Sequence, residues 1–339
     1  MIELVEPLRT GDRRALARLL TAVENEREGV QEALTALYPH TGHAWVIGLT
    51  GAPGTGKSSL VTELAKAYRS KGETVAILAV DPTSPFTGGA ILGDRIRMRE
   101  LAGDKGVFIR SMATRGSLGG LARATRDAIR VLDAAGFDRI LVETVGAGQS
   151  EVDIVRAAYT TIVIEAPGLG DDVQAIKAGI LEIADVLVVN KADRPGVDST
   201  VRALRTMLEL GHPASREQMV AHHGKGMIAE VATPTNHDFW LPPVIRTVAI
   251  EGEGIDELVT AIEQHRQYLT EADRFHRLEQ QHFEMELVDR VRDELVKQLF
   301  SVLPAEKLRE VVKQVQSRAL DPQTAVNQLL AFQQVNVAK

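Results

Sequence analysis

The sequence predicts an α/β fold in which a mainly parallel sheet is covered by helices on both faces. Short apolar segments recur through the middle of the chain, and stretches of helical periodicity separate most of them. This alternation is typical of parallel strands that are joined by helices. One apolar segment runs into a glycine-rich loop and then into a helix, and both ends of the chain carry further helical patterns. The three observations together indicate a sheet-based core with helical extensions.

The apolar strand candidates define this core and predict three parts of the chain. The candidates are Ala44–Leu49, Thr74–Val80, Val107–Arg110, Arg139–Val142, Thr161–Ile164, Val186–Val189 and Val244–Ala249. We expect an N-terminal helical extension over residues 1–40, the α/β domain over residues 41–269 and a C-terminal helical dimerisation arm over residues 270–339. With 339 residues, of which 44% are hydrophobic, the chain can bury a substantial core.

Both extensions are predicted from helical spacing. Asp12 can cap a first amphipathic helix, and the segment from Val30 to Tyr38 repeats the pattern. In the arm, Pro304 begins a new helix after a longer one in which apolar residues recur every four positions. Those apolar residues are Phe283, Leu287, Val291, Leu295 and Leu299. Such a face packs either on its own chain or on a partner, and the remote position in the chain favours a homodimer.

Composition excludes several classes of function. The net charge is −7 without a long basic run, which argues against a nucleic-acid partner and against an anionic membrane surface. The chain has no cysteine, so disulfides, thiolate metal sites and thiol catalysis are excluded. The apolar runs are too short to cross a bilayer, and the first residues do not resemble a targeting signal. We therefore expect a cytoplasmic protein.

The glycine-rich loop fits the phosphate-loop (Walker A) pattern G-x-x-x-x-G-K-[ST] at every position. Its residues, together with the serine that follows, are candidate nucleotide contacts: Gly51, Ala52, Pro53, Gly54, Thr55, Gly56, Lys57, Ser58 and Ser59. Glycines allow backbone N–H groups to surround phosphates, and the following helix N-terminus adds positive charge. We expect Lys57 to contact the β- and γ-phosphates and Ser58 to bind Mg²⁺. The loop predicts a nucleoside triphosphate site within a P-loop NTPase fold.

Two aspartates that follow the second strand candidate are candidate magnesium ligands. Asp81 comes at the end of the second strand, and Asp94 lies further along a segment rich in Pro, Gly, Ser and Thr. Mg²⁺ prefers hard oxygen ligands and keeps several waters, so either aspartate suits its shell directly or through water. The alternative for each is an aspartate that stabilises a turn or caps a helix.

A third carboxylate, Glu143, follows the strand that begins at Arg139. It can hold the magnesium shell, and the N–H of Gly146 can meet the γ-phosphate. Gln149 is a candidate for orienting the attacking water, although a loop glutamine is more often simply solvated.

The tetrapeptide Asn190-Lys191-Ala192-Asp193 is an N-K-x-D box at the end of the sixth strand candidate. The Asp193 carboxylate can accept hydrogen bonds from N1–H and the 2-amino group of guanine, whereas adenine offers neither donor. We expect Lys191 to lie along the base and Asn190 to tie this loop to the phosphate side. The box therefore predicts GTP rather than ATP as the nucleotide.

Several of these motifs together resemble one family. They are Gly51–Ser58, Asp81–Pro85, Phe108–Gly116, Glu143–Glu151, Ala166–Asp172 and Asn190–Asp193. The chain is similar in them to the MeaB/ArgK group of P-loop GTPases, the auxiliary proteins of adenosylcobalamin-dependent methylmalonyl-CoA mutase and its relatives. A Ser-Ala guanine-loop motif is not evident near Val248-Ala249, which is a departure from the pattern.

The resemblance implies a metallochaperone-type function. Members hydrolyse GTP slowly alone and faster with the mutase, gate loading of its cofactor and protect or reactivate it. By resemblance, Asp81, Asp94 and Glu143 form the magnesium shell, and the segment from Ala166 to Lys177 is a third switch that relays nucleotide state to the mutase. Asp171, Asp172 and Lys177 become coupling residues, although composition alone indicates a turn and a helix cap there. The resemblance also implies a homodimer formed through the C-terminal arm.

Two rival functions remain alternatives. A metal-insertion GTPase for a nickel enzyme would bring Cys or His ligands, and His212, His222, His223 and His237 lack ligand spacing. A nucleotide-dependent kinase would need an acceptor pocket and a base, and the sequence indicates neither. Candidates for stabilising transition-state charge are Arg97, Arg110 and Arg115.

Overall fold

The computed structural model describes residues 1–82, 98–101, 103–114, 120–144, 157–168, 183–210 and 240–337. The strands are β1 (Trp45–Gly51), β2 (Val75–Pro82), β3 (Val107–Thr114), β4 (Arg139–Thr144), β5 (Thr160–Glu165), β6 (Val186–Asn190) and β7 (Val244–Thr247). The helices are α1 (Val5–Arg9), α2 (Arg13–Glu24), α3 (Val30–Leu37), α4 (Lys57–Ser70), α5 (Gly120–Ala134), α6 (Val197–Leu210), α7 (Ile255–Thr270), α8 (Arg274–Val302), α9 (Ala305–Gln316) and α10 (Pro322–Val337).

The strands of the described residues form one seven-stranded sheet in the order β3-β2-β4-β1-β5-β6-β7. Every pairing between neighbouring strands is parallel. Parallel strands bring their carboxyl ends to one edge of the sheet, and ligands of such sheets bind there. The predicted fold class is therefore confirmed, and the carboxyl ends of β1, β4 and β6 lie at the same edge of the sheet.

The last strand is shorter than its sequence pattern predicts. β7 ends at Thr247, whereas the apolar run continues to Ala249. The reason is a tight turn: the N–H of Val248 donates to the carbonyl of Glu253 at 3.1 Å, and that of Glu251 donates to the carbonyl of Val248 at 2.9 Å. Val248 and Ala249 are buried in this turn rather than in a strand.

Two apolar layers cover the faces of the sheet. On one face, α1, α2, α3 and α5 share a core with alternate residues of the sheet, including Ala76, Leu78 and Val142. On the other face, α4 and α7 pack on the intervening residues, including Ile47 and Ile77. The period of two in the strands explains this division, because successive side chains point to opposite faces.

The N-terminal helices are tied to the core by polar contacts as well. Asp12 caps α2 by accepting from the N–H groups of Arg14 and Ala15, as its position predicts. Glu24 at the end of α2 forms an ion pair with Arg110 of β3.

A single carboxylate also holds the segment that leads into the sheet. Asp133 on α5 accepts from the N–H groups of Gly42, His43 and Ala44 at 2.6, 3.1 and 2.9 Å. Because these residues lead directly into β1, the contact fixes the path of the chain as it enters the sheet.

A buried polar cluster joins the strand starts at the edge of the sheet away from the phosphate loop. The Trp45 indole N–H donates to Thr160 Oγ1 at 3.0 Å, and Thr160 Oγ1 lies 3.0 Å from His265 Nδ1. His265 Nε2 lies 3.4 Å from Asp185, which also accepts from the N–H of Thr161 at 2.7 Å. These contacts link the starts of β1, β5 and β6 to α7.

Contacts divide the chain into two units, Met1–His282 and Phe283–Lys339. In the second unit, Leu303, Val311 and Ala325 are buried. Many apolar residues of its helices are nevertheless exposed: Phe283, Leu287, Val288, Val291, Leu295, Val296, Phe300, Val302, Val312, Val326 and Leu330. Within the described ranges, no helix combines the length and apolar character that crossing a membrane requires.

Candidate nucleotide-binding site

The phosphate loop lies between β1, which ends at Gly51, and α4, which begins at Lys57. Gly51 and Gly56 have φ angles of 147° and 94°, which side chains rarely allow. A Cβ added to Gly51 would lie 2.1 Å from the carbonyl oxygen of Ile164 in β5, and one added to Gly56 would lie 2.4 Å from Nδ2 of Asn190. The loop therefore owes both its turn and its close packing to these glycines.

The Lys57 ammonium lies against the loop backbone. Its Nζ donates to the carbonyls of Gly51 and Ala52 at 2.8 and 3.0 Å, and the side chain is buried. Thr55 Oγ1 donates to the same Ala52 carbonyl at 2.9 Å. The positive charge thus lies at the N-terminus of α4, where the helix dipole adds to its attraction for phosphates.

Ser58 and Glu143 meet at the base of the loop. The Ser58 hydroxyl donates to Glu143 Oε1 at 2.7 Å, and both side chains are buried. Glu143 lies on β4 opposite Leu49 of β1, so the pairing of adjacent strands brings the carboxylate beside the first turn of α4. Two buried oxygens of this kind match the hard ligands that Mg²⁺ prefers.

Asn190 joins three segments at this edge. Its Nδ2 donates to the carbonyl of Thr55 at 2.8 Å, and its Oδ1 accepts from Thr247 Oγ1 at 3.0 Å and from the N–H of Ala249 at 3.1 Å. The amide is buried. The expected tie between the N-K-x-D box and the phosphate side is therefore present, and it extends to the turn after β7.

The rest of the N-K-x-D box lies on the surface beside the loop. Lys191 has a φ of 58°, a left-handed conformation, and its Nζ donates to the carbonyl of Gly54. The N–H of Ala192 donates to the carbonyl of Thr247 at 3.0 Å. Asp193 is exposed, so its carboxylate is accessible to a ligand.

The structure brings together the phosphate loop, Glu143 and the N-K-x-D box, as the strand-end argument predicts. Other predicted site residues lie outside the described residues: Asp94, Gly146, Gln149, Asp171, Asp172 and Lys177. The same holds for Arg97, Arg115, His212, His222, His223 and His237. Of Asp81, the structure describes the backbone at the end of β2, paired with Ala113 of β3.

Sequence reasoning missed Thr247 and Ala249 as members of this site. Strands β6 and β7 are neighbours, and Asn190 lies opposite Thr247 in their pairing. The only sequence signal for Thr247 is therefore a hydroxyl at the end of the strand that neighbours the N-K-x-D box. Arg110, a candidate for the transition-state charge, is instead engaged by Glu24 of the N-terminal extension. Among the described residues, no cluster of three or more His, Cys, Asp or Glu residues could hold a metal ion.

Comparison with known proteins decides the family. The family model described as methylmalonyl Co-A mutase-associated GTPase MeaB matches residues 16–303. The chain belongs to this family. A protein of Pyrococcus abyssi that is named as a GTPase is 46% identical over 328 residues, which cover 97% of this chain and 95% of the relative. GTPase ArgK of Escherichia coli is 34% identical over 337 residues, with 98% of this chain and 96% of ArgK covered.

This MeaB-family chain is also similar to a protein from an animal and to a solved structure. A Caenorhabditis elegans protein named methylmalonic aciduria type A homolog, mitochondrial, is 30% identical over 309 residues, covering 87% of this chain and 73% of the relative. A crystal structure described as an LAO/AO transport system kinase has a TM-score of 0.69 and 28% identity, covering 98% of this chain and 97% of that one. Family and relatives make the protein a P-loop GTPase, which binds guanine nucleotide and hydrolyses GTP.

Proposed function

We propose that this GTPase is a chaperone that gates adenosylcobalamin loading and protects or reactivates a methylmalonyl-CoA mutase-type enzyme. The observation that carries the proposal is the match of residues 16–303 to a family described as associated with methylmalonyl Co-A mutase. The similarity to a methylmalonic aciduria type A homolog supports the same client class.

In this proposal Mg²⁺ accompanies the nucleotide and is held by Ser58 and Glu143, with Asp81 and Asp94 completing its shell directly or through water. The residues fit the ion, because the Ser58 hydroxyl and a Glu143 carboxylate oxygen lie 2.7 Å apart at the phosphate loop. Bound there, the ion would neutralise charge on the phosphate oxygens.

The chain's own groups would then assist attack of water on the γ-phosphorus, which releases inorganic phosphate and leaves GDP. Lys57 and the loop N–H groups hold the phosphates, and the N–H of Gly146 meets the γ-phosphate. Gln149 orients the attacking water. The burial of Lys57 supports its part, since a charge in a site of low dielectric acts more strongly than one in water.

Guanine selection is assigned to the N-K-x-D box. The exposed Asp193 carboxylate accepts from N1–H and the 2-amino group of guanine, and Lys191 lies along the base. The contact between Asn190 and the Thr55 carbonyl supports this role, because it places the box beside the phosphate loop.

Coupling to the client is assigned to the segment from Ala166 to Lys177, with Asp171, Asp172 and Lys177 as the coupling residues. β5 ends at Glu165, directly before this segment, and Ile164 of β5 pairs with Gly51 of the phosphate loop. The start of the segment therefore adjoins a strand that packs against the nucleotide loop.

The arm over residues 270–339 is assigned to homodimerisation, and the protein to the cytoplasm. The exposed apolar residues of α8, such as Leu287, Val291 and Leu295, support the dimer because isolated proteins rarely expose such a run. The extension over residues 1–40 and the nucleotide domain over residues 41–269 would form the rest of the protomer.

Phosphate release from GTP, measured with and without an adenosylcobalamin-dependent acyl-CoA mutase, tests the client assignment. We expect slow turnover alone and a severalfold rise with the mutase. Lys177→Ala is expected to reduce that rise while basal turnover is retained. Turnover that no such mutase changes would contradict the chaperone role and leave the GTPase intact.

A kinase is the second candidate, because one similar solved structure is described as a transport system kinase. The two functions differ in the acceptor of the γ-phosphoryl group. With γ-³²P-labelled GTP, a hydrolase releases all label as inorganic phosphate in every mixture, whereas a kinase transfers label to a second molecule.

A further inference from the structure

Strand β3 lies at one edge of the sheet. It pairs with β2, and among the described residues no strand lies beyond it. It is also long for an edge strand, with eight residues from Val107 to Thr114. The N–H and C=O groups on the open side of such a strand can pair with a strand of another molecule, and natural proteins cover these edges or place charges on them. The structure of this edge therefore bears on how the protein stays dispersed.

The pairing with β2 decides which backbone groups of β3 lie on the open side. The N–H of Val75 in β2 donates to the carbonyl of Gly106 at 2.8 Å, and Val75 lies opposite Val107. Successive residues of a paired strand turn their backbone groups to opposite sides of that strand. Val107, Ile109 and Ser111 therefore turn their N–H and C=O groups away from β2.

Both ends of α2 contact this edge. Arg13, the first residue of α2, donates from Nη2 to the carbonyl of Lys105 at 2.9 Å and to the carbonyl of Val107. Glu24, the last residue of α2, forms an ion pair with Arg110. The helix therefore lies along the first half of β3, and its arginine occupies an outward carbonyl that an added strand would use.

Packing holds α2 in this position. Leu16, Leu19 and Leu20 of α2 are buried in the same apolar cluster as Met112 of β3, and Phe108 packs against that cluster. Because the apolar face of α2 is fixed in this way, removal of a polar contact at one end of the helix should leave the helix in place. The contribution of Arg13 can therefore be measured separately from that of the packing.

We infer that α2 of the N-terminal extension covers the sheet edge and prevents two copies of this chain from pairing through β3. Within the described part of the chain, the outward groups of Ile109 and Ser111 have no hydrogen bond, so the edge keeps the capacity to pair beyond Val107. Arg13 is the main barrier, since it occupies the carbonyls at the start of the edge. The inference is independent of the proposed nucleotide and client roles.

The test is Arg13→Ala in the full chain, which frees the two carbonyls and keeps the apolar face of α2. Light scattering after size-exclusion chromatography measures the fraction of species larger than the wild-type protein. We expect that fraction to rise about 3- to 10-fold, because each freed group gains a hydrogen bond on pairing. Arg14→Ala is the matched control, since Arg14 is also exposed on α2 and carries the same charge. GTP turnover of both fresh variants should equal that of the wild type.

A second substitution separates edge pairing from general loss of stability. Ser111→Pro removes an outward N–H that an added strand requires, and edge strands tolerate proline at such positions. In the Arg13→Ala background it should return the mass distribution to that of the wild type, whereas a chain that is merely destabilised would gain no such protection. If Ser111→Pro does not fold, Ser111→Lys takes its place, because a lysine on an edge strand opposes pairing. A wild-type distribution in Arg13→Ala, or large species that the second substitution leaves in place, would overturn the inference.

Discussion

The hydroxyl of Ser58 and a carboxylate oxygen of Glu143 lie 2.7 Å apart in a buried contact that joins the first turn of α4 to the end of β4. The two residues are separated by a long stretch of sequence, and adjacency of β1 and β4 in the sheet brings them together. The contact places two oxygen ligands beside the phosphate loop and joins two predicted site residues that lie far apart in the sequence.

Replacing Glu143 by glutamine tests the carboxylate in this contact. Glutamine has nearly the same shape and can still accept from Ser58, but it lacks the negative charge that a magnesium shell uses. We expect single-turnover GTP hydrolysis to fall about 100-fold, and GDP binding without Mg²⁺ to change little. Glu73→Gln, at a carboxylate that pairs with Arg139, serves as the control. Hydrolysis at the wild-type rate in Glu143→Gln would remove Glu143 from the magnesium shell.

Asp193→Asn tests guanine selection through the chemistry of the base. An asparagine amide can donate to the 2-carbonyl oxygen of xanthine, whereas a carboxylate repels that oxygen. We expect the preference for GTP over XTP to fall by about 100-fold or more, with hydrolysis of the bound nucleotide retained. Competition of GTP and XTP against a fluorescent GDP analogue measures this preference. Asp198→Asn, on the neighbouring helix, is the control, and an unaltered preference in Asp193→Asn would refute the assignment.

Leu287→Glu tests the dimerisation arm. Leu287 is 62% exposed on α8, so the substitution costs little in the protomer and places a charge on the proposed interface. We expect the mass from light scattering to shift from dimer to monomer at micromolar concentration. Lys297→Glu alters charge at an exposed polar position of the same helix and should stay dimeric. A dimer that survives Leu287→Glu would argue for a different interface.

Alkaline unfolding tests two buried tyrosines. Burial raises the pKa of Tyr68 and of Tyr159, and neighbouring carboxylates (Glu263 and Glu279) add to the effect. A tyrosine in the unfolded chain has a pKa of about 10. The contribution of these two residues to the free energy of unfolding is therefore complete below about pH 10 and is lost as the pH rises beyond it.

We therefore expect the free energy of unfolding to fall above about pH 10, with each of the two tyrosines contributing up to about 1.4 kcal/mol per pH unit. Tyr68→Phe and Tyr159→Phe should each reduce that slope. Denaturant titrations at several pH values provide the measurement, with Tyr38→Phe, at an exposed tyrosine, as the control. Equal slopes in all four proteins would contradict the role of burial.

The sequence predicts most of the fold because apolar strands and the residues at their ends carry strong local signals. The phosphate loop is specified by glycines that no other residue can replace at φ angles such as 147°. The cap at Asp12 is equally local, since a carboxylate just before a helix accepts from the free N–H groups of that helix's first turn. Each of these features depends on neighbours in the sequence.

The parts that could not be predicted depend on contacts between distant segments. The end of β7 at Thr247 is set by a turn whose hydrogen bond from Val248 to Glu253 competes with continuation of the strand. The contact between Thr247 and Asn190 follows only from the order of strands, which places β7 next to β6. A hydroxyl at the end of a strand has no recognisable sequence pattern, so its contacts can be inferred only when the neighbouring strand is known.

Steady-state phosphate release from GTP and from ATP, in the presence of Mg²⁺, tests the central claim most directly. We predict slow turnover of GTP, at least about tenfold slower turnover of ATP, and loss of both in Lys57→Ala, which should still fold. Lys71→Ala, at an exposed lysine on the far end of α4, should behave as the wild type. Turnover of ATP as fast as that of GTP, or wild-type turnover in Lys57→Ala, would contradict the account.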